Sequence, residues 1–468
     1  MKKQFTKIIS SFLVVYLASF LSISSTVFAA EDRDYQAISR QIAKDVEAYQ
    51  IPSMAVIVVD KDQVVFQETY GEDVSPDSPF IIGSMSKSFT ALAIMQLVEK
   101  GKIDLNAPIS TYIDASKWFV KDGQDEKLTV RDLLRHTSGL GTYQTFGQLE
   151  VTDSYGKHLY ANANYGLLGL IIEAVSGESY ESYVTKHIFQ PLRMSQSSAS
   201  LQASIEKGLI AGYRNYFGLP ISGPADYPGP IDRGSWGSVP AGYLSASISD
   251  MGRYLQMYLR DGDGIISKES VQQMFYDTVP VDDEGLQYGL GWGYTEKRLG
   301  QPLLVHAGLV ENYTSKMFIL PEKGIGVVVL VNMNDYLVTN NVLDTIVDPL
   351  LGAPRKDLPN LYVPLHLAID ALYLLLTIIS IYSFITIGKW KRKEKGIKTN
   401  ILDFLRHFLL PVGLLCLPLL VGSPPRIIWL FAKDIFVVLY FNACALLLIG
   451  VYKLFLIWKN RQNQSQDR

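Results

Sequence analysis

A serine and a lysine in the stretch Ser84-Met-Ser-Lys87 are the side chains of this sequence best spaced to do chemistry together. They open an apolar segment that runs to residue 100 and is typical of a helix. Residues three apart share one face of a helix, so the amine of Lys87 can reach the hydroxyl of Ser84. An amine stripped of water loses its proton more readily and can then activate a serine. The motif therefore predicts Ser84 as nucleophile and Lys87 as base.

The same Ser-x-x-Lys spacing occurs twice more, which leaves a structural interpretation of the motif open. Ser154-Tyr-Gly-Lys157 and Ser204-Ile-Glu-Lys207 match it, although neither opens a long apolar helix. Serine is also a common helix N-cap. A capping box, however, has Glu or Gln three residues later, and a cation in the first turn opposes the helix dipole. The position of Lys87 is therefore poor for helix stability and good for catalysis.

Two further motifs add groups that such a site could use. Tyr160-Ala-Asn162 holds a phenol that can transfer protons and an amide that can bind a substrate carbonyl or orient a lysine. His306-Ala-Gly308 is the only His-x-Gly in the chain, and its glycine lets another backbone lie close along a strand. Each motif also has a structural interpretation, because the chain contains 27 tyrosines and a lone histidine often belongs to a core.

The elements around these motifs predict an α+β fold. Residues 54–60 and 64–70 have the composition of two strands joined by a short turn. More strands are predicted near the other end of the domain, with helices between the two groups. The strands are 303–306, 315–320 and 325–332, and the helices are 129–135, 165–175 and 249–260. This order indicates one antiparallel sheet built from both ends, with a helical insertion, rather than a doubly wound sheet.

The two ends of the chain predict export and a membrane anchor. Residues 1–29 have the lysines, short apolar core and small-residue end of a signal peptide, with an uncleaved anchor as the alternative. Near the other end, three crossings put both basic clusters in the cytoplasm, whereas two would leave one outside. The predicted segments are a soluble domain 30–355, a linker 356–366, spanning helices 367–388, 401–422 and 435–458, a basic cytoplasmic loop 389–400 and a cytoplasmic tail 459–468.

The composition excludes several kinds of protein. The net charge is -3 and no basic face is predicted, so nucleic acid is not an expected partner. Both cysteines, Cys416 and Cys444, lie in the apolar C-terminal segments, so no disulfide is expected in the exported domain. The six histidines are not spaced with carboxylates as metal ligands are, so neither a metal nor another cofactor is expected.

Taken in this order, the three motifs resemble the signature of the serine β-lactamase and penicillin-binding-protein superfamily, and are most similar to its class C β-lactamase-related hydrolases. Four further stretches agree with that branch: residues 83–90, 128–139, 240–250 and 288–293. The resemblance implies a β-lactamase/transpeptidase-like fold for residues from about 35 to about 350. A signal peptide with C-terminal membrane helices is similar to membrane-bound penicillin-binding-like proteins of bacteria with a thick, exposed wall.

The resemblance also implies a role for each motif residue. Ser84 is expected to form an acyl-enzyme, with Lys87 and Tyr160 sharing the proton transfers and Asn162 contacting the substrate amide. The oxyanion hole is expected to be the backbone N–H groups of Ser84 and Leu309. Acyl transfer is therefore the expected chemistry.

Position 306 departs from the pattern of many relatives, which carry lysine there in a Lys-Thr-Gly triplet. His306 and Gly308 are expected to bind substrate, but an unperturbed histidine is mostly neutral at pH 7, whereas lysine is charged. A substrate carboxylate would then be held less strongly, which favours esters and amides of D-amino acids. His136 matches the family's His-Thr-Ser-Gly turn and is expected to be structural.

The sequence thus predicts a serine hydrolase tethered to the cell membrane by several crossings, with its catalytic domain extracellular. The expected substrates are D-alanyl peptides or esters of the cell wall, either as small molecules or as wall polymer, and the lipid bilayer is the other expected partner. Two alternatives stay open at this point. One is a β-lactam-binding sensor that is acylated without turnover, and the other is a true class C-like β-lactamase.

Overall fold

The computed structural model of the chain describes residues 34–223, 227–228, 237–297, 300–335, 343–355, 362–392, 397–420 and 424–466. The predicted signal peptide, residues 1–29, lies outside this part of the chain. The chain divides into two compact units. The larger unit contains the described residues from 34 to 214 and from 220 to 355, and the smaller contains Asn215–Leu219 and the described residues from 362 onward.

The strands form one large sheet and two small ones. They are β1 (Ser53–Asp60), β2 (Val64–Gly71), β3 (Phe80–Ile81), β4 (Gly212–Tyr216), β5 (Leu219–Gly223), β6 (Ser245–Ala246), β7 (Val279–Pro280), β8 (Gln287–Tyr288), β9 (Gly293–Thr295), β10 (Leu303–Leu309), β11 (Thr314–Leu320), β12 (Ile325–Val331) and β13 (Met333–Asn334). The large sheet is antiparallel, in the order β2-β1-β12-β11-β10-β9-β8-β7. Strand β1, from the start of the domain, pairs with β12, from its end. The sheet is therefore built from both ends of the domain, which confirms the predicted α+β fold.

The helices of the larger unit lie mostly between β2 and β7 in the sequence, as the predicted helical insertion requires. They are α1 (Tyr35–Ala48), α2 (Ser86–Glu99), α3 (Val130–Leu134), α4 (Asn162–Ser176), α5 (Tyr180–Val184), α6 (Leu201–Glu206), α7 (Val239–Gly242), α8 (Ile248–Leu259), α9 (Lys268–Tyr276) and α10 (Leu343–Leu350). The helix predicted at 165–175 is α4, which begins earlier, so that Tyr160 precedes it and Asn162 is its first residue.

Helices pack on both faces of the large sheet, which explains why β1 is a continuous apolar run. Its residues 53–59 are all buried. Gly252 of α8 lies so near one face that a Cβ there would come within 2.6 Å of Ile57. At β2, the ring of Phe66 stacks on Tyr35 of α1 with 5.1 Å between the ring centroids. A strand covered on both faces is apolar throughout, because neither face meets water.

A short turn before α2 carries the predicted nucleophile. The helix α2 is buried over most of its length, as expected of a central helix. A 3₁₀ turn, Gly83–Met85, precedes it and contains Ser84. The hydroxyl of Ser86 secures this turn, since it donates to the carbonyl of Gly83 at 2.7 Å and accepts from the N–H of Leu244 at 3.1 Å. The position of Ser84 is therefore fixed by the backbone around it.

Within the described part of the chain, the smaller unit has three helical segments long and apolar enough to cross a membrane. These are Tyr362–Ile385, Ile401–Leu420 and Lys433–Lys459, with mean hydropathies of 2.0, 1.6 and 2.3. The individual helices are α11 (Tyr362–Ile385), α12 (Ile387–Arg392), α13 (Ile397–Phe404), α14 (Leu410–Leu420), α15 (Pro425–Phe431), α16 (Lys433–Phe436) and α17 (Asn442–Gln466). The first begins inside the stretch 356–366 that the sequence assigns to a linker.

The second segment stays helical despite its prolines. Pro411 has no N–H to donate, and a π-helical turn, Leu405–Leu409, ends two residues before it. Such a turn lets a helix absorb a local irregularity. Between the first and third segments, the buried side chain of Asn442 accepts from the hydroxyls of Thr377 and Ser380 at 3.5 and 3.4 Å. Polar contacts of this kind join helices within membranes.

Candidate active site

The side chains of Ser84 and Lys87 lie together, as their spacing predicts. The Nζ atom of Lys87 is 3.0 Å from Oγ of Ser84, 2.8 Å from Oδ1 of Asn162 and 2.5 Å from the backbone oxygen of Ala241. Ser84 is partly exposed, whereas Lys87 is fully buried. A substrate can therefore reach the serine, while water is kept away from the lysine.

The three neighbours of the Lys87 amine are all oxygen atoms. The oxygens of Asn162 and Ala241 can only accept hydrogen bonds, so each takes one N–H from the amine. A neutral amine has two N–H donors and one lone pair. The third neighbour, the hydroxyl of Ser84, can accept from a charged ammonium or donate to the lone pair of a neutral amine. In the neutral form, Lys87 can act as a base toward Ser84.

Burial favours the neutral form of Lys87. Because a charged ammonium is costly to remove from water, burial holds the pKa of Lys87 well below its ordinary value. The ring of Tyr160 lies 4.8 Å from the amine and offers a cation only modest compensation. Lys87 can therefore take the proton of Ser84 near neutral pH.

Tyr160 is a second partner of the Ser84 hydroxyl. Burial raises the pKa of the Tyr160 phenol, and its hydrogen bond with Ser84 opposes that effect only in part. The phenol therefore stays protonated at neutral pH. It can donate or relay a proton, while Lys87 accepts one. Two groups whose environments give them opposite roles are the pattern expected of an acid and a base.

His136 holds the segment that carries Tyr160 and Asn162. Its Nδ1 atom accepts from the backbone N–H of Ala161 at 3.2 Å and lies 3.0 Å from Nδ2 of Asn164. Its ring centroid is 4.2 Å from that of Tyr160. The backbone of His136 has a φ of +57°, which is uncommon for a residue other than glycine. Burial keeps its pKa well below the ordinary value, so this histidine is a neutral support for the tyrosine.

Two glycines bring the predicted oxyanion donors together. Gly83 has a φ of +57°, and a Cβ on it would lie 2.4 Å from the backbone nitrogen of Leu309. A Cβ on Gly308 would lie 2.1 Å from the carbonyl oxygen of Ile82. Glycine is needed at both positions for the end of β10 to approach the turn so closely. The N–H groups of Ser84 and Leu309 therefore belong to adjoining backbone segments, as an oxyanion hole requires.

His306 lies in β10 beside this site and is only 5% exposed. Its Nδ1 atom is 2.8 Å from the carbonyl oxygen of Ala307, and its Nε2 atom is 3.0 Å from the hydroxyl of Tyr288. Burial lowers the pKa of His306 to about 3. Position 306 therefore contributes a neutral imidazole at pH 7.

The two rival Ser-x-x-Lys pairs have other partners. Ser204 donates to the carbonyl of Ser200 at 2.7 Å, and Lys207 donates to the carbonyl of Ser197 at 2.6 Å. Lys157 is exposed in a turn. Across the described residues, no group of three or more His, Cys, Asp or Glu side chains is arranged to hold a metal ion.

Comparison with known proteins agrees with this geometry. Residues 38–347, well over half of the chain, match the family described as beta-lactamase. The chain belongs to the beta-lactamase family. Among curated proteins, it is 27% identical over 325 residues to protein flp of Staphylococcus aureus strain N315, covering 64% of this chain and 63% of that protein. It therefore spans less than two thirds of that relative. It is 24% identical over 379 residues to a beta-lactamase of Escherichia coli K12, covering 69% of this chain and 95% of that one.

Two solved structures share the beta-lactamase/transpeptidase fold of this family member. An octameric penicillin-binding protein homologue from Pyrococcus abyssi is 29% identical, with a TM-score of 0.59 over 73% of this chain and 81% of that chain. A D-stereospecific amidohydrolase from Streptomyces sp. is 20% identical, with a TM-score of 0.53 over 64% of this chain and 94% of that chain. Family membership and fold agree with the placing of Ser84 and Lys87 in one site.

Three contacts of the beta-lactamase-family site could not be assigned from the sequence. The carbonyl of Ala241 binds Lys87 through the backbone, which leaves no side-chain signal. Tyr288 belongs to the stretch 288–293, which the resemblance includes without giving the tyrosine a role. The support from His136 depends on a turn whose partners are distant in sequence. The His-Thr-Ser-Gly pattern was the only available signal for it.

Proposed function

We propose that the protein is a membrane-tethered serine hydrolase that acts through an acyl-enzyme on D-alanyl peptides or esters of the cell wall. The observation that carries this proposal is the 3.0 Å contact between the Ser84 hydroxyl and a buried, neutral Lys87. Membership of the beta-lactamase family supports the same chemistry. The name of one similar solved protein, a penicillin-binding protein homologue, supports a wall-related substrate.

In the proposed reaction, Oγ of Ser84 attacks the substrate carbonyl while its proton passes to Lys87. The N–H groups of Ser84 and Leu309 stabilise the oxyanion that forms. Lys87 or Tyr160 then protonates the leaving oxygen or nitrogen as its bond to the carbonyl carbon breaks. Water or an amine attacks the acyl-enzyme by the same steps in reverse, which restores Ser84. Asn162 aligns Lys87 and contacts the substrate amide.

The substrate class follows from the charge at position 306. A neutral His306 offers no cation to a carboxylate beside the bond that is cleaved, so esters and amides without that carboxylate are the favoured substrates. D-Alanyl esters on wall polymers carry no such carboxylate, whereas D-alanyl peptides that end in a free carboxylate do.

We propose that the catalytic unit lies on the outer side of the cell membrane. Three apolar segments can cross the bilayer, and the basic stretch 389–395 follows the first of them. Lysine and arginine beside a crossing favour the cytoplasmic side, which assigns the preceding domain to the opposite side. The lysine-rich, apolar start of the chain, typical of a signal peptide, supports the same orientation.

Product release by the full-length protein in detergent or lipid nanodiscs tests the proposal. The substrates are a D-alanyl ester, a D-alanyl amide, a D-alanyl-D-alanine peptide and a chromogenic cephalosporin. We expect turnover of the ester or amide by the wild type, loss of it in Ser84→Ala, and full retention in the control Ser154→Ala. Equal turnover by wild type and Ser84→Ala would overturn the proposal.

The same experiment separates the two alternatives. A protein that is acylated by the cephalosporin and then releases nothing, with no activity on D-alanyl compounds, acts as a sensor. A protein that turns over the cephalosporin rapidly and ignores D-alanyl compounds is a true β-lactamase. Either result replaces the substrate class proposed here while leaving Ser84 as the nucleophile.

A further inference from the structure

Both ring nitrogens of His306 already have partners inside the protein. A carbonyl oxygen can only accept, so the Nδ1 atom, 2.8 Å from the oxygen of Ala307, carries the proton. In a neutral imidazole the other nitrogen, Nε2, is then an acceptor. Its neighbour at 3.0 Å is the hydroxyl of Tyr288, which can donate to it. The two hydrogen bonds thus favour the Nδ1–H tautomer of His306.

Tyr288 lies among the aromatic and histidine rings of the active site. It is 2% exposed, at the end of β8. Its ring centroid is 5.0 Å from that of His136 and 6.3 Å from that of Tyr160. The nearby Tyr165 donates its own hydroxyl to the backbone carbonyl of Leu134 at 2.9 Å. Tyr288 is therefore fixed in place before it meets His306.

The other titratable groups near His306 also favour its neutral form. Lys87 and His136 both interact with it, and a positive charge on either would oppose a positive charge on the imidazole. The Tyr288 hydroxyl adds to this, because a donor on Nε2 stabilises the lone pair of the neutral ring. Loss of that donor removes one of the interactions that keep the ring neutral.

We propose that Tyr288 is a positioning residue that keeps His306 in its neutral Nδ1–H form, and that the pair selects acyl donors whose leaving group carries no negative charge. The proposed selectivity for substrates rests on the proposed hydrolase function. The proposed hydrogen bond from Tyr288 to His306 rests on the geometry alone. A leaving-group carboxylate next to a neutral, fully engaged imidazole has neither a cation nor a ring N–H to bind.

The selectivity is tested with two substrates that differ only in charge, an N-acyl-D-alanyl-D-lactate and its methyl ester. We expect the wild type to favour the methyl ester by about tenfold or more in kcat/KM at pH 7, within the range of one specificity contact. Tyr288→Phe narrows this ratio as the pH falls from 6 to 4, because the freed Nε2 takes a proton at a higher pH than in the wild type. His306→Lys reverses the preference, and adding Tyr288→Phe to it changes the ratio no further.

A purely structural role for Tyr288 predicts a different outcome. In that case Tyr288→Phe lowers kcat/KM for both substrates equally, the ratio is unchanged, and the proposal is overturned. Tyr276→Phe is the matched control, since Tyr276 is 42% exposed and is the last residue of helix α9. We expect Tyr276→Phe to keep the wild-type ratio of kcat/KM for the two substrates.

A second measurement does not depend on turnover. Nitrogen NMR of the full chain in micelles, labelled in its six histidines, reports the tautomer and titration of each ring, and His306→Gln assigns the signal. We expect a neutral Nδ1–H ring in the wild type from pH 6 to 8, and a titration midpoint raised by about one pH unit in Tyr288→Phe. A protonated His306 at pH 7, an Nε2–H tautomer, or no shift in the variant would overturn the proposal. If the protein hydrolyses neither substrate but gives the expected NMR result, the hydrolase function and the selectivity based on it are rejected. The positioning role of Tyr288 would still hold.

Discussion

Replacement of Gly308 by alanine is the sharpest test of the oxyanion geometry. The new Cβ would lie 2.1 Å from the carbonyl oxygen of Ile82 and 2.2 Å from Oγ of Ser315. Favourable contacts between such atoms are about 3.5 Å or longer, so the end of β10 has to move by about 1 Å or more. That movement takes the N–H of Leu309 away from the N–H of Ser84.

The expected loss follows from what one donor contributes. Removal of a single oxyanion donor lowers kcat by about 10² to 10³, or roughly 3 kcal/mol. Overpacking adds a cost to folding of about 1 to 3 kcal/mol. We therefore expect Gly308→Ala to lower kcat for a D-alanyl ester at least about 100-fold, with a small change in KM and a lower Tm. Adding Ser315→Ala does not restore activity, because the Ile82 carbonyl is the closer obstacle.

Gly223→Ala is the control for this experiment. A Cβ on Gly223 would meet no atom within 4 Å, and its backbone has no positive φ. Its kcat and Tm are expected to equal those of the wild type, as measured by steady-state hydrolysis and thermal unfolding in the same detergent. If Gly308→Ala keeps kcat within about tenfold of the wild type, the oxyanion hole is not built from this contact and the assignment of Leu309 is wrong.

Three further predictions concern groups around the nucleophile and the ends of the catalytic domain. Lys87→Met is expected to abolish activity and raise stability. In the wild type the unfolded chain binds a proton that the buried amine has lost, so the free energy of unfolding rises with pH. The difference in Tm between pH 6 and pH 9 should therefore be smaller in the variant than in the wild type. Tyr160→Phe keeps the ring but loses the hydroxyl bonded to Ser84, and should lower kcat by about 10² to 10⁴ with an unchanged Tm; an unchanged kcat would remove Tyr160 from the proton transfers. Arg355→Met breaks the paired bonds of 2.6 and 2.8 Å to the buried carboxylate of Asp45 and should cost about 1 to 3 kcal/mol of stability, with kcat/KM unchanged; an unaltered Tm would contradict it.

The sequence was sufficient for the parts of the site that depend on spacing along one element. Ser84 and Lys87 lie one helical turn apart, so local geometry alone predicts their contact. Strands β1, β2, β10, β11 and β12 are long and largely apolar, and β1 and β12 are rich in β-branched residues, which is why both ends of the sheet could be predicted. Order along the chain then linked Asn162 to the same site.

The remaining features depend on tertiary contacts that no local pattern encodes. Strands β3, β7 and β8 have two residues each, and their pairing exists only because neighbouring segments hold them. The carbonyl of Ala241 reaches Lys87 from a segment distant in sequence. The bond between Tyr288 and His306 joins two different strands of the sheet, so neither residue type predicts it. The sequence also could not show that burial makes Lys87 a neutral amine.

The central claim is that Ser84 is a nucleophile activated by a neutral Lys87, and one measurement tests it most directly. The full-length protein is incubated briefly with a β-lactam at several pH values, quenched and digested, and the modified peptide is identified by mass spectrometry. We predict an acyl adduct on Ser84 that forms faster as the pH rises through the lowered pKa of Lys87, persists in Ser154→Ala and is absent from Ser84→Ala. An adduct on another residue, or an adduct of equal yield in Ser84→Ala, would contradict the claim.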